Sequence, residues 1–313
     1  MEIKLAQAYS FCQLGQRKDQ EDARCPNTDV IDEKQRFFVV CDGVGGSEKG
    51  EVASSTVCHS IQEALSHADL SAMLFTNQDF STVLDAAYDA LDSKANRQTK
   101  DMATTMTFVC FHQGGCMMAH IGDSRIYQVR PGHGIIYRSE DHSLVNSLVH
   151  NGIITPEQAV NHPQSNVITR YMGPKETDRD RCMATVVNTK DIQKNDYFFL
   201  CSDGVIEKLE DDLCQILTEK LPLEKRLEKL KQEALQRDTR DNNSAYLIEV
   251  TEVSGASMEA EIQSDSTTQQ DETNPKAVDT DKKSRPNWLR WFFLLLTILA
   301  LALAAFFMMK AKG

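Results

Sequence analysis

Six short runs in the first 250 residues are dense in aromatic, β-branched and aliphatic side chains and break off at turn-forming residues. They are RFFVVC (36–41), MTFVCF (106–111), CMMAHIG (116–122), RIYQVR (125–130), DYFFLCS (196–202) and SAYLIEV (244–250), and they predict β-strands. Between the first two runs the period changes. Val52, Val57, Ile61 and Leu65 recur at helical spacing, as do Val83, Ala87, Tyr88 and Leu91, so two amphipathic helices are expected there. A further helical stretch, LCQILTEKLPLEKRLEKLKQEAL (213–235), predicts one or two more, broken near Pro222. Strands followed by a helix pair and then more strands predict an α+β sandwich with helices covering the sheets.

The pattern ends at about residue 251, and residues 1–251 read as one globular domain. From Glu252 to Arg285, Ser, Thr, Gln, Asp and Glu dominate. Such a segment cannot bury enough apolar area to offset its chain entropy, so 252–287 is expected to be a flexible acidic linker. Then WFFLLLTILALALAAFFMM (291–309) carries no charge, Gly or Pro. As a helix it would span about 28 Å, close to the hydrocarbon thickness of a bilayer. A transmembrane helix is therefore expected over 288–309, with Trp288 and Trp291 at one interface and a short basic tail at 310–313. Lys282, Lys283, Arg285 and Arg290 precede it and Lys310 and Lys312 follow, which predicts a single-pass protein with its N-terminal domain facing the cytoplasm.

Composition adds exclusions. The 34 Lys+Arg against 46 Asp+Glu leave a net charge of −12, which argues against a general nucleic-acid footprint. The nine cysteines are odd in number and contain no C-x-x-C pair, so neither a disulfide framework nor a zinc knuckle is expected. The first residues, MEIKLAQAYSFCQ, lack the basic and apolar regions of a secretory leader.

The charge matters more where it is concentrated. RKDQED (17–22), DGVGG (42–46), SDG (202–204) and DNN (241–243) sit at the ends of apolar runs or in expected turns. A carboxylate at the end of a buried strand is costly to desolvate unless something positive neutralises it. A following Gly permits a sharp turn. Hard divalent cations bind in such all-oxygen sites. Arg17 is of the residue type that grips phosphate bidentately.

At this level of detail the chain resembles the metal-dependent protein serine/threonine phosphatases, the PPM or type-2C family, in their bacterial-like form. The matching segments, in order, are RKDQEDA (17–23), VVCDGVGG (39–46), ATTMTFV (103–109), HIGDSRIY (120–127), DHSLV (141–145), HPQSNVITRYMG (162–173), FLCSDGV (199–205) and RDNNSAYLIEV (240–250). The resemblance implies an α-β-β-α sandwich of two antiparallel sheets flanked by helices. It implies hydrolysis of phosphoserine and phosphothreonine on proteins by a water bridging two Mn²⁺ or Mg²⁺ ions. By the same resemblance, Asp42 bridges the metals, the Gly43 carbonyl is a further ligand, and Asp203 and Asp241 bind the first metal. Glu21 and Asp22 hold metal-bound waters, Arg17 clamps phosphate, and Asp123 serves a third, weaker metal site. Thr104 and Thr105 match buried structural threonines. The implied partners are phosphoprotein substrates, an opposing Ser/Thr kinase and, through the apolar helix, the membrane; the catalytic domain is expected to be monomeric.

Two positions depart from the family pattern. Val44 stands where some members have a His proposed as general acid, leaving metal-bound water or a residue such as His162 to supply the proton. Ala103 stands where relatives often have Gly, a difference expected to affect packing only. No cysteine has an arginine six positions later, so the nucleophile loop of cysteine phosphatases is absent. A nucleotide-binding reading of 42–50 fails at Glu48 and Glu51, where a dinucleotide fingerprint needs Gly and a P-loop needs Lys. The alternative with a different outcome is a membrane-anchored pseudophosphatase that binds phosphoproteins without hydrolysing them. Residues 145–165 correspond to the family's variable flap.

Overall fold

Strict alternation along Phe37–Cys41 shows how the layers arise. Phe37, Val39 and Cys41 belong to one apolar cluster and Phe38 and Val40 to another, because successive side chains of a strand point to opposite faces. The computed structural model describes residues 1–44, 49–160, 162–175, 181–237 and 239–255. The transmembrane helix read at 288–309, the basic tail and nearly all of the linker lie outside the described residues. Among the described residues no helix is long and apolar enough to cross a membrane.

In chain order the strands are β1 (Glu2–Leu5), β2 (Ala8–Gln13), β3 (Ala23–Cys25), β4 (Val30–Ile31) and β5 (Phe37–Cys41). Helices α1 (Gly50–Leu65) and α2 (Asn77–Lys94) follow, then β6 (Met106–His112), β7 (Gly115–Ile121), β8 (Arg125–Arg130) and β9 (Gly134–Arg138). Next come α3 (Leu144–His150), α4 (Pro156–Val160), β10 (Thr185–Thr189), β11 (Tyr197–Cys201), α5 (Asp203–Thr218), α6 (Leu223–Gln236) and β12 (Asn243–Ser254).

The strands form two antiparallel sheets. One runs β4-β2-β12-β11-β8-β9 with β1 also on β12, and the other runs β10-β7-β6-β5-β3. Phe38, Val109, Phe111, Phe198, Leu200 and Tyr246 fill the space between the sheets. Val39, Phe108 and Met117 face α1 and α2, whereas Phe199, Cys201 and Leu247 face α5 and α6. The result is the expected α-β-β-α sandwich, with three apolar layers separated by two sheets.

Two strands were not read from the sequence, and two readings shift. The short strands β1 and β2, at opposite ends of the chain from β12, escape a local reading, yet both pair with it. That pairing carries β12 through Ser254, with Ile3 opposite Val253, so the globular fold extends past the boundary read at 251. Asp203-Gly204 is not a free-standing turn. Both residues open α5, where the positive end of the helix dipole favours the Asp203 carboxylate.

Candidate active site

The registers bring the carboxyl end of β5, the start of β6, the β7–β8 turn, the end of β11 and the start of β12 to one edge of the sandwich. Ala23 lies opposite Cys41, Met106 opposite Ile121, Arg125 opposite Cys201, and Asn243 opposite Gln13. There a cavity of about 540 Å³ is lined by Arg17, Asp42, Asp123, Asp203 and Asp241, with Val44, Asn166, Ile168, Glu207 and Arg240 at its walls. Five of the sequence-predicted site residues thus share one space.

Each carboxylate is held from behind. The Asp42 backbone is clamped on both sides. Its N–H donates to Thr105 Oγ1 at 3.1 Å, and its carbonyl accepts from the Thr105 N–H (2.8 Å) and Thr104 Oγ1 (2.9 Å). Thr104 and Thr105 are buried, in keeping with the structural role read for them. Gly43 passes between Glu21 and the start of α1, where a Cβ would lie 2.7 Å from the Glu21 carbonyl oxygen. At Gly204 a Cβ would lie 2.1 Å from the Asn242 carbonyl oxygen, so the helix that carries Asp203 can meet the loop that carries Asp241 only through glycine.

Glu21, Asp22 and Gly43 stand behind the cavity wall. The Glu21 N–H donates to Asn242 Oδ1 (2.7 Å), and its carbonyl accepts from the Gly43 N–H (3.1 Å) and Ser54 Oγ (2.6 Å). Asp22 is buried, with Oδ2 accepting from Ser202 Oγ at 2.9 Å. His162 is not among the residues that line the cavity; its Nδ1 accepts from the Gln164 N–H within its own turn. The proton-donor role considered for it finds no geometric support.

The electrostatics of this cluster are unbalanced. Burial pushes the Asp42 carboxyl well above the ordinary range, and Asp22, Asp203, Asp123 and Asp241 push it further. Burial raises Asp123 to about 7, with Asp203 adding to the effect, and it raises Asp203, with Asp241 adding there. One oxygen each of Asp22 and Asp203 is buried without a hydrogen-bond partner. Such an all-oxygen set, short of positive charge, fits a hard divalent cation. As the side chains lie, no three His, Cys, Asp or Glu among the described residues are close enough together to hold a metal ion. The Arg17 guanidinium sits on Asp241 at 2.5 Å, joining two residues to which the sequence assigns separate roles.

Sequence reasoning missed Glu207. It lies one helical turn after Asp203 and accepts from the Arg240 backbone N–H (3.1 Å) and guanidinium (3.1 and 3.2 Å), steadying the loop before Asp241. An i, i+4 signal for it was present, but only for a helix begun at 203.

Fold and site together define a phosphatase of the type-2C class. Residues 20–243 match the family model for protein phosphatase 2C, and the chain belongs to that family. It is an enzyme, a protein-serine/threonine phosphatase. Its sequence is 33% identical over 202 residues to the serine/threonine protein phosphatase PstP of Mycobacterium tuberculosis, spanning 63% of this chain and 37% of that longer protein. Its fold is similar to the crystal structure of the phosphatase Stp1 from Staphylococcus aureus, with 28% identity and a TM-score of 0.67 over 80% of this chain and 98% of that one. It also matches the catalytic domain of PstP solved in complex with two manganese ions, at 24% identity and a TM-score of 0.64 over 80% and 100% of the two chains.

Proposed function

We propose that this protein removes phosphate from phosphoserine and phosphothreonine side chains of proteins, using two divalent metal ions, Mn²⁺ or Mg²⁺, gathered by the carboxylate cavity. The observation that carries the reading is the convergence of Asp42, Asp123, Asp203 and Asp241 on one space, where Arg17 pairs with Asp241 while burial and the neighbouring carboxylates push Asp42 well above the ordinary range. Asp42, the Gly43 carbonyl, Asp203 and Asp241 would hold the two ions, Glu21 and Asp22 would orient their waters, and Asp123 would serve a third, weaker site. When bound, the metals would supply an activated water and stabilise charge on the phosphoryl oxygens. Arg17 would leave Asp241 and take two phosphate oxygens in its fork, which holds the ester in the cavity. Val44 offers no proton to the leaving group, so that proton would come from water held in the cavity or from another residue. Hydrolysis of p-nitrophenyl phosphate and of phosphothreonine peptides should need added Mn²⁺ or Mg²⁺ and stop with EDTA. Full turnover in metal-free buffer would refute the two-metal reading.

The same proposal places the enzyme at a membrane. The uncharged stretch 291–309 would anchor it, the acidic linker would tether a monomeric catalytic domain, and the four cations before the helix against two after it favour a cytoplasmic face. Its substrates would then include those of an opposing membrane-proximal Ser/Thr kinase. Full-length protein should stay in the membrane pellet through alkaline carbonate, and protease added outside intact cells should spare the catalytic domain. Release into the soluble fraction would refute the anchor, and digestion from outside would refute the orientation.

A further inference from the structure

His142, in the DHSLV segment, has no part in the chemistry above, yet it ties together two walls of the cavity. Its ring and backbone grip Gly122 from both sides: the Gly122 N–H donates to His142 Nδ1 at 3.1 Å, and the His142 N–H donates to the Gly122 carbonyl at 2.9 Å. Gly122 is followed directly by Asp123 of the cavity wall. It adopts φ +103°, and a Cβ there would lie 2.6 Å from Thr105 Cγ2, so the turn is pressed against the threonine that clamps Asp42. On the other side, the His142 carbonyl accepts from the Thr169 N–H at 2.7 Å. Thr169 follows Ile168, which faces the carboxylate cavity with Asn166.

The ring itself is fixed. It stacks on His120 with centroids 4.4 Å apart and planes 12° apart. Because an amide N–H can only donate, Nδ1 is the bare nitrogen of the neutral ring and Nε2 carries the hydrogen; the Arg170 guanidinium, 3.4 Å from Nε2, is then a neighbour and not a donor to it. Thr185 Oγ1, 2.9 Å from Nε2, accepts it and so holds the tautomer that Gly122 requires. Thr185 lies directly opposite His120 in the β7–β10 pairing.

We propose that His142 is a positioning residue of this active site: with its tautomer set by Thr185, it holds the Gly122–Asp123 turn in place and couples it to segment 166–170. Its catalytic consequence rests on the phosphatase reading of the cavity; its structural consequence does not.

The test compares His142→Leu, which removes the acceptor, with His142→Asn, whose Oδ1 can replace Nδ1. Thr185→Val leaves the ring but frees its tautomer. Hydrogen exchange of the Gly122 amide, measured in EDTA, reads the turn without any activity. Kinetics with Mn²⁺ and p-nitrophenyl phosphate read the chemistry. In His142→Leu the Gly122 amide should exchange about tenfold faster or more, while amides in the centres of β6 and β7 are unchanged. Turnover should fall about tenfold with KM within about twofold, as for an interaction realised in the transition state. His142→Asn should recover most of both losses, and Thr185→Val should show the same two effects at smaller size. Unchanged Gly122 exchange in a folded Leu variant would overturn the proposal. So would uniform acceleration across β6–β8, or an Asn variant as impaired as the Leu variant. If His142→Leu does not fold, Thr185→Val decides: loss of Gly122 protection supports the coupling, and unaltered protection and turnover overturn it. Wild-type protein without metal-dependent hydrolysis would defeat the phosphatase reading while leaving the exchange result to stand.

Discussion

Replacing Asp22 by Asn should stabilise the protein in EDTA and blunt its response to metal. Asp22 is 6% exposed; one oxygen accepts from Ser202 Oγ and the other has no partner. Burial pushes its carboxyl from 3.8 up to about 7, partly offset by the nearby Ser244 and Ser202 hydroxyls, with Asp203 and Asp241 adding to the rise. A shift of about three units corresponds to about 4 kcal/mol borne by the ionised form above pH 7. Asparagine keeps the acceptor for Ser202 and turns the orphan oxygen into a donor among carboxylates. Allowing about 1–3 kcal/mol for an imperfectly bonded amide leaves a gain of about 1–3 kcal/mol. At about 2–4 °C per kcal/mol, the melting point in EDTA at pH 8 should rise by roughly 2–12 °C. The sign with pH follows from the raised folded value. Between about 7 and 3.8 the native state binds the proton that the unfolded chain does not, so this residue's penalty shrinks as pH falls through 7. Wild-type stability in EDTA should therefore gain a component between pH 8 and pH 6 that the Asn variant lacks. Added Mn²⁺ should reverse the ranking, because wild type gains stability in proportion to ligand binding and the variant gains less. An Asn variant that melts at or below wild type in EDTA at pH 8, with the same pH slope, would refute the reasoning.

Thr105→Val keeps the shape but leaves the Asp42 N–H and Ser124 Oγ without their partner, so denaturant melts should show a loss of about 2–4 kcal/mol and turnover should fall with it. Gly204→Ala places a methyl 2.1 Å from the Asn242 carbonyl oxygen; the start of β12 must move, and urea melts should show more than about 3 kcal/mol lost together with weaker Mn²⁺ binding. Arg17→Ala should raise KM for phosphopeptides by about tenfold with kcat largely kept, as expected for a clamp that binds ground and transition states alike. Because it also releases Asp241, calorimetric titration should find Mn²⁺ bound at least as tightly as in wild type.

What the chain determined by itself is local. Strand geometry alone puts Phe37, Val39 and Cys41 on the opposite face from Phe38 and Val40, and Tyr197, Phe199 and Cys201 opposite Phe198 and Leu200; with both faces apolar, which one meets the helices was left to the tertiary structure. The helical spacing of Val57, Ile61 and Leu65 likewise declares the buried face of α1. Cavity carboxylates such as Asp42 and Asp203 were legible because each follows such a run directly. What the tertiary structure decided is which distant pieces meet. β1 spans four residues with a simple exposed–buried alternation, too short to announce a strand, and it exists because β12 offers a pairing edge some 250 residues later. Ser202 reaches Asp22 across 180 positions and Arg17 reaches Asp241 across 224, contacts no periodicity encodes. Glu207 became visible only once Asp203 proved to open a helix, and the role of His142 only once Gly122 lay against its ring. Periodicity reports which face of an element is buried; registry between elements depends on closing the whole sandwich, and the site is built from that registry.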